Sequence, residues 1–141
     1  LFNVVNAYIN GRWLFTFAPA YDAAWLTDPR FLIGVAVFAT GFTIHATHDR
    51  TLRHLRKPGD DANTYRVPQG GLFRFVSCPN YLGEMIEWLG WAIATWSLPG
   101  LAFFVWTAAN LAPRARSNHR WLRENLPDYP RDRKALVPFV F

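Results

Sequence analysis

The stretch VSCPNYLGEMIEWLGW, residues 76–91, decides how this chain is read. Most of it is apolar or aromatic, yet Asn80, Glu84 and Glu87 interrupt it. At 100° per residue these three fall within about 60° of one another on a helix. The remaining faces carry Leu82, Met85, Ile86, Trp88, Leu89 and Ile93. Pro79 suits a first helical position, so the helix is expected to start near 78–79. A carboxylate at the middle of a bilayer costs about 2.5–3.5 kcal/mol on insertion scales. The stripe therefore needs partners, water or a ligand. It is either an interhelical hydrogen-bond cluster that holds a bundle together or the wall of a ligand or ion site. Spacing alone does not name the ligand.

Outward from this stretch the chain keeps the same character. Residues 80–98 read as a span stopped by Pro99-Gly100, and 101–112 start a further helix that runs on towards Ser117. Upstream, FLIGVAVFATGFTIHA (31–46) carries no full charge. It falls slightly short of the roughly 20 residues a spanning helix needs, and extension to His48 closes the gap. Residues 47–71 are polar; their first half is expected to remain helical to Arg56, after which Pro58-Gly59 ends it. RVPQGG is turn chemistry, because proline fixes φ and paired glycines permit left-handed backbone. Residues 1–20 read as half a membrane segment or an interfacial turn, followed by a polar loop over 21–30.

Composition agrees with a membrane setting. Of 141 residues, 51% are hydrophobic and only 18% charged, against roughly 25% charged in soluble domains. The formal net charge is +5, and eleven of the fifteen Lys and Arg lie in 50–57 and 114–134. Two crossings between these clusters would return both to one face of a bilayer, as the positive-inside pattern requires. The expectation is a single all-α unit over 1–141, a multi-pass transmembrane helical bundle in contact with membrane lipids. A nucleic-acid partner is not expected, since long apolar stretches separate the basic clusters.

Other constellations are weaker. HATHD puts His45, His48 and Asp49 on one helical side, but without a further ligand no metal site is expected. Arg53, Arg56, Arg66, Arg114 and Arg116 suit bidentate phosphate binding, and lipid and nucleotide phosphates are not distinguished by composition. Cys78, the single cysteine, reads as a packed small residue rather than a nucleophile. No Gly-rich strand-to-helix fingerprint or Walker loop supports a soluble nucleotide fold. The chain opens on Leu1 and its only methionine is Met85, so it is expected to be a piece of something longer.

Taken in order, LRKPG (55–59), YRVPQGGLF (65–73), VSCPNYLGEMIEWLGWAIATWSLP (76–99) and DYPRDRKALVPFVF (128–141) resemble the steroid 5α-reductase family, the 3-oxo-5α-steroid 4-dehydrogenases. The likeness covers nearly the whole chain and looks like the C-terminal half of a roughly seven-helix membrane enzyme. Trans-2-enoyl-CoA and polyprenoid-lipid reductases share single elements, while the combination is closer to the steroid branch. The resemblance implies an enzyme that uses NADPH to reduce the C=C bond of a conjugated enone, most readily a 4-ene-3-oxo steroid or a related flat apolar lipid. Hydride passes to the β-carbon while the carbonyl oxygen is polarised and the α-carbon takes a proton. Carried over by position, Asp49, Arg56, Tyr65, Arg66, Asn80, Glu84, Arg114 and Asn118 match cofactor-pocket positions. Asn118 and Leu122 depart from the family pattern, which has histidine and tyrosine there. The carbonyl-polarising acid is expected upstream of Leu1, so no catalytic residue is assigned. The implied location is a bacterial inner membrane or, in a eukaryote, the endoplasmic reticulum membrane. Loop 57–71 is expected to close over the dinucleotide. Readings of another class are a helical-bundle methyltransferase of the isoprenylcysteine type, which would bind S-adenosylmethionine, and a non-catalytic lipid-binding bundle.

Overall fold

The computed structural model describes residues 2–18, 21–55, 57–61 and 64–141, with the backbone alone at Phe2. Four helices follow in order: α1 (Phe2–Thr16), α2 (Pro29–Leu55), α3 (Pro79–Thr95) and α4 (Leu98–Asn125). Short 3-10 turns cover Ala23–Thr27 and Gly71–Arg74. Among the described residues there is no strand, only an isolated parallel bridge between Val76 and Lys134. The all-helical expectation holds. With 27 residues, α2 is about 40 Å long at 1.5 Å per residue and is long and apolar enough to cross a membrane. The 17 residues of α3 give only about 25 Å, shorter than the ~30 Å hydrocarbon layer. Its apolar face depends on tilt or on neighbours.

Local chemistry sets the helix ends. The Asp28 carboxylate accepts from Arg30 N at 2.8 Å and from the Arg30 guanidinium at 2.8 and 2.9 Å. These bonds, the side-chain one foremost, lower its pKa to about 2, so it is ionised where α2 exposes its unpaired N–H groups. Pro79 occupies the first turn of α3 as expected. The α3–α4 boundary differs from the sequence expectation. Pro99-Gly100 does not stop α3; the break is at Trp96, which adopts left-handed backbone with φ 44°. Ser97 then caps α4, its hydroxyl accepting from Gly100 N at 3.1 Å. Proline is tolerated in a first helical turn because its missing N–H has no partner there anyway, so Pro99 begins a helix rather than ending one.

The dominant packing is α2 against α3, antiparallel and backbone to backbone. Gly34 and Gly41 on α2 face Gly83 and Gly90 on α3, each pair two turns apart on one side of its helix. A Cβ on Gly90 would lie 2.2 Å from Phe38 N, and on Gly41 2.2 Å from Glu87 N. The matching distances are 2.2 Å from Gly34 to Ala94 N and 2.4 Å from Gly83 to His45 N. Contacts that short leave no room for any side chain, so glycine is a steric requirement, as in closely approaching membrane helices. Across this seam His45 Nδ1 and Glu87 Oε2 meet at 3.1 Å. At the far end Tyr21 OH donates to Thr95 O at 2.8 Å and Trp25 Nε1 to Ala94 O at 3.2 Å. Both satisfy terminal carbonyls of α3. The Arg30 guanidinium lies 4.7 Å from the Trp25 ring and 5.4 Å from Trp96, which adds cation–π attraction at the same corner.

Gly90→Ala should therefore lower thermal stability well beyond the ~1–3 kcal/mol of ordinary core overpacking, because the obstacle is backbone. A melting curve of the detergent-solubilised variant that overlays the parent would contradict the interlocked seam.

Candidate functional site

A cavity of about 350 Å³ opens where the C-terminal end of α2, the loop after it, the first turn of α3 and the second half of α4 converge. Leu52 and Leu55 of α2 form its apolar floor with Leu122 of α4. Its polar wall holds Tyr65 and Arg66 from the loop, Asn80 and Tyr81 from α3, and Asn118 from α4. The Tyr65 and Trp121 rings, 4.6 Å apart between centroids, make an aromatic rim. Asn118 Nδ2 approaches Tyr81 OH at 3.5 Å, joining α3 to α4 beneath that rim.

Four of the eight expected cofactor residues thus meet at one cavity: Tyr65, Arg66, Asn80 and Asn118. The other four stand differently. Asp49 on α2 pairs with Arg53, accepting from Arg53 Nε at 2.7 Å. Arg114 lies one turn before Asn118 on α4 and is exposed. Glu84 is half-buried one turn beyond Asn80 and has no hydrogen-bond partner among the described residues. Arg56 lies outside the described residues. The polar stripe of α3 is therefore divided: Asn80 faces the cavity, while Glu87 is the interhelical partner of His45. His48 is also occupied structurally. Its Nδ1 lies 2.7 Å from Ile44 O and its Nε2 accepts from Leu72 N at 3.0 Å. That fixes the neutral Nδ1–H tautomer, since Nε2 must keep its lone pair. Among the described residues no group of three His, Cys, Asp or Glu could hold a metal ion.

Two clamps hold the loop that carries Tyr65 and Arg66. At one end the Arg66 guanidinium donates to Leu55 O at 2.8 Å and to both oxygens of Asp60, with Nη2 to Oδ1 at 2.8 Å. That hydrogen bond, helped by Lys57 N, holds the Asp60 carboxyl far below its usual range. Because the folded value is depressed, the contribution is complete above the ordinary carboxylate pKa of about 4 and is lost only in strong acid. At the other end buried Arg133 donates to Pro68 O at 3.0 Å and to Gln69 Oε1 at 3.1 Å, with Tyr129 under its guanidinium at 5.3 Å. Gly70 and Gly71 make the following turn with φ of 84° and 51°, values that side chains with a Cβ rarely adopt. A Cβ on Gly71 would also sit 2.8 Å from His48 Nε2.

The C-terminal tail is spliced into the wall between that turn and α3. Lys134 N donates to Phe75 O at 2.9 Å, Ser77 N to Lys134 O at 2.8 Å and Cys78 N to Ala135 O at 3.1 Å. Ser77, buried at the cavity edge, is the hub of this wall. Its hydroxyl lies 2.6 Å from His119 Nδ1, 2.6 Å from Tyr129 OH and 3.1 Å from Lys134 O. One hydroxyl has one proton and two lone pairs, so three partners saturate it. Sequence reasoning assigned no role to Ser77, Tyr81, His119, Tyr129 or Arg133. The only signal was the place of Ser77 and Tyr81 in SCPNY and of Tyr129 and Arg133 in DYPRDRKAL, with His119 in neither, because their partners lie 37 to 65 residues away in sequence.

With the geometry in hand, comparison with known proteins identifies the class. This is an all-helical chain with a candidate membrane span and a polar cavity at one end of its helices. A family model described as 3-oxo-5-alpha-steroid 4-dehydrogenase matches residues 1–141, and the chain belongs to that family. It is 49% identical over 142 residues to the steroid 5-alpha-reductase DET2 of Arabidopsis thaliana, covering 99% of this chain and 53% of the relative. It is 46% identical over 140 residues to 3-oxo-5-alpha-steroid 4-dehydrogenase 1 of Rattus norvegicus, covering 99% of this chain and 53% of the relative. The corresponding protein of Homo sapiens is 43% identical over 141 residues, with 100% and 53% covered. The chain spans about half the length of these relatives.

Two outcomes test the wall. Burial pushes the Cys78 thiol up to about 11, against a smaller lowering by the Asn118 hydrogen bond. Its alkylation by N-ethylmaleimide at pH 7.5 should be at least tenfold slower than that of the unfolded chain, since only the thiolate reacts. Equal rates would mean the thiol is open to solvent. Ser77→Ala should cost about 1–3 kcal/mol by leaving Tyr129 OH and His119 Nδ1 short of a partner. A thermal melt within error of the parent would show that the hub carries no load.

Proposed function

We propose that this chain is the C-terminal part of a membrane-embedded, NADPH-dependent reductase. Its substrate would be a 4-ene-3-oxo steroid, reduced at the conjugated C=C bond to the 5α product. The observation that carries the reading is the joint presence of Tyr65, Arg66, Asn80 and Asn118 at one cavity in a chain whose family match runs over all 141 residues. The names of the relatives supply the substrate class: steroid 5-alpha-reductase and 3-oxo-5-alpha-steroid 4-dehydrogenase.

The cavity suits part of a dinucleotide. Its volume of about 350 Å³ lies near the lower end of ligand pockets, ~300–1,000 Å³, so one portion of NADPH would enter and the rest would extend along the mouth. Asn80 and Asn118 offer amide donors and acceptors for a sugar or amide edge, and Tyr65 with Trp121 offers a stacking surface. The charge of Arg66 is offset by Asp60, which makes it a positioning group for the loop more than a phosphate clamp. Arg56 and exposed Arg114 are the proposed phosphate partners, and Asp49 and Glu84 the proposed polar neighbours at the edge. Bound NADPH would supply the hydride to the β-carbon of the enone. The residues of this chain would hold the cofactor, orient it and exclude water through the apolar floor of Leu52, Leu55 and Leu122. We also propose a multi-pass arrangement, with α2 as one crossing and α3 and α4 packed beside it in the bilayer.

The test is NADPH oxidation by the full-length protein in membranes or detergent, with and without a 4-ene-3-oxo steroid, and with the product identified by mass and stereochemistry. Steroid-dependent oxidation to the 5α-reduced ketone is expected. Asn80→Ala should weaken NADPH about tenfold, the value of one or two lost buried hydrogen bonds. Full NADPH affinity in both Asn80→Ala and Glu84→Gln would remove the cavity from the reading. Turnover of an enoyl-CoA or a polyprenal in place of the steroid would keep the reductase and replace the substrate.

A further inference from the structure

His119 touches Ser77 in the wall of the first cavity and also borders a second one, of about 430 Å³. Four arginines surround that second space: Arg116, Arg120 and Arg123 from α4, and Arg131 from the tail. Glu124 is the one acid on its lining. None of the four guanidiniums forms an ion pair among the described residues, where the side chains that meet a carboxylate are Arg30, Arg53, Arg66 and the imidazole of His45. The dipole at the C-terminal end of α4 favours cations in its last turn, which accounts for Arg123. It does not account for Arg131, which folding brings to the same space from outside the helix. The imidazole of His119 reports the same local field. Burial first, then the charges of Arg123 and Lys134, hold it below its ordinary value, and the other charged groups bordering it are Arg116, Arg120, Arg131 and Glu124.

We propose that this arginine-lined basin binds the phosphate of an anionic phospholipid headgroup. Bilayer depth favours lipid as the source. The apolar first half of α4 exposes Leu101 and Val105, and the basin begins eleven residues after Val105, about 17 Å along the helix, and extends to about 27 Å. If the apolar half lies in hydrocarbon, that distance puts the guanidiniums at headgroup level. The site is separate from the first cavity and does not depend on the NADPH reading; it does depend on the proposed membrane embedding.

Native mass spectrometry of the full-length protein, titrated with short-chain phosphatidylglycerol, phosphatidylcholine and inorganic phosphate, tests it. Phosphatidylglycerol should bind at least about tenfold more tightly than phosphatidylcholine. The variant R120Q/R123Q/R131Q should weaken phosphatidylglycerol by about tenfold or more, with the NADPH dissociation constant and melting temperature unchanged. If the triple variant melts early, Arg131→Gln alone, on an exposed tail residue, carries the test with an expected loss of about threefold. Equal binding of the two lipids, or unchanged affinity in these variants, overturns the proposal. Displacement of the lipid by an equal concentration of inorganic phosphate also overturns it, because the basin would then be a free-anion site. Loss of NADPH binding with lipid binding intact would count against the reductase reading and leave this one standing.

Discussion

The backbone contact between α2 and α3 is the constraint on which the remaining structure depends. Glycines at 34, 41, 83 and 90 bring the two helices so close that a single methyl group on any of them would strike opposing main chain. Such a seam has one register. A slide by a turn would place Phe38, His45 or Glu87 against backbone where only glycine fits. That register pairs His45 with Glu87 and places the end of α2 beside the start of α3. Leu52, Leu55, Asn80 and Tyr81 thereby come to share one cavity.

A second constraint closes the cavity from the side of the tail. Arg133 and the backbone of 134–135 hold the 68–78 segment by hydrogen bonds that span nearly half of the chain. The loop carrying Tyr65 and Arg66 is thus fastened at both ends, by Asp60 and Leu55 on one side and by Arg133 on the other. Sequence reasoning expected 57–71 to behave as a closing lid. Closure of that loop as a lid would have to break or carry these bonds with it.

The polar stripe on α3 shows how one motif can serve two purposes. Asn80 and Glu87 lie seven residues apart on the same face, yet one borders a cavity and the other completes a helix pair. Of the two readings offered by spacing, interhelical contact is what Glu87 makes, and at Asn80 the structure has a cavity wall for which a ligand is proposed. The difference is the neighbours: His45 of α2 meets Glu87 directly, whereas beside Asn80 the end of α2, the loop after it and α4 leave a cavity between them.

Much of this was legible in the amino-acid order. Long apolar runs, Pro79 before the polar stripe and Pro58-Gly59 after α2 specify helices and most of their ends, because these depend on neighbours within a few residues. The family likeness rests on the same local segments. The boundary at Trp96 was not legible, since a left-handed tryptophan is held by Arg30 and the α3 carbonyl partners rather than by its own preference. Nor was the role of the four glycines, which look permissive in isolation and become obligatory only when a second backbone lies about 2 Å from the missing Cβ positions. Ser77, His119, Tyr129 and Arg133 belong to the same class. Local sequence determined that helices form and where most of them end. Tertiary structure alone decided which polar groups meet, because a hydrogen bond or a steric exclusion between residues tens of positions apart exists only once the chain has packed.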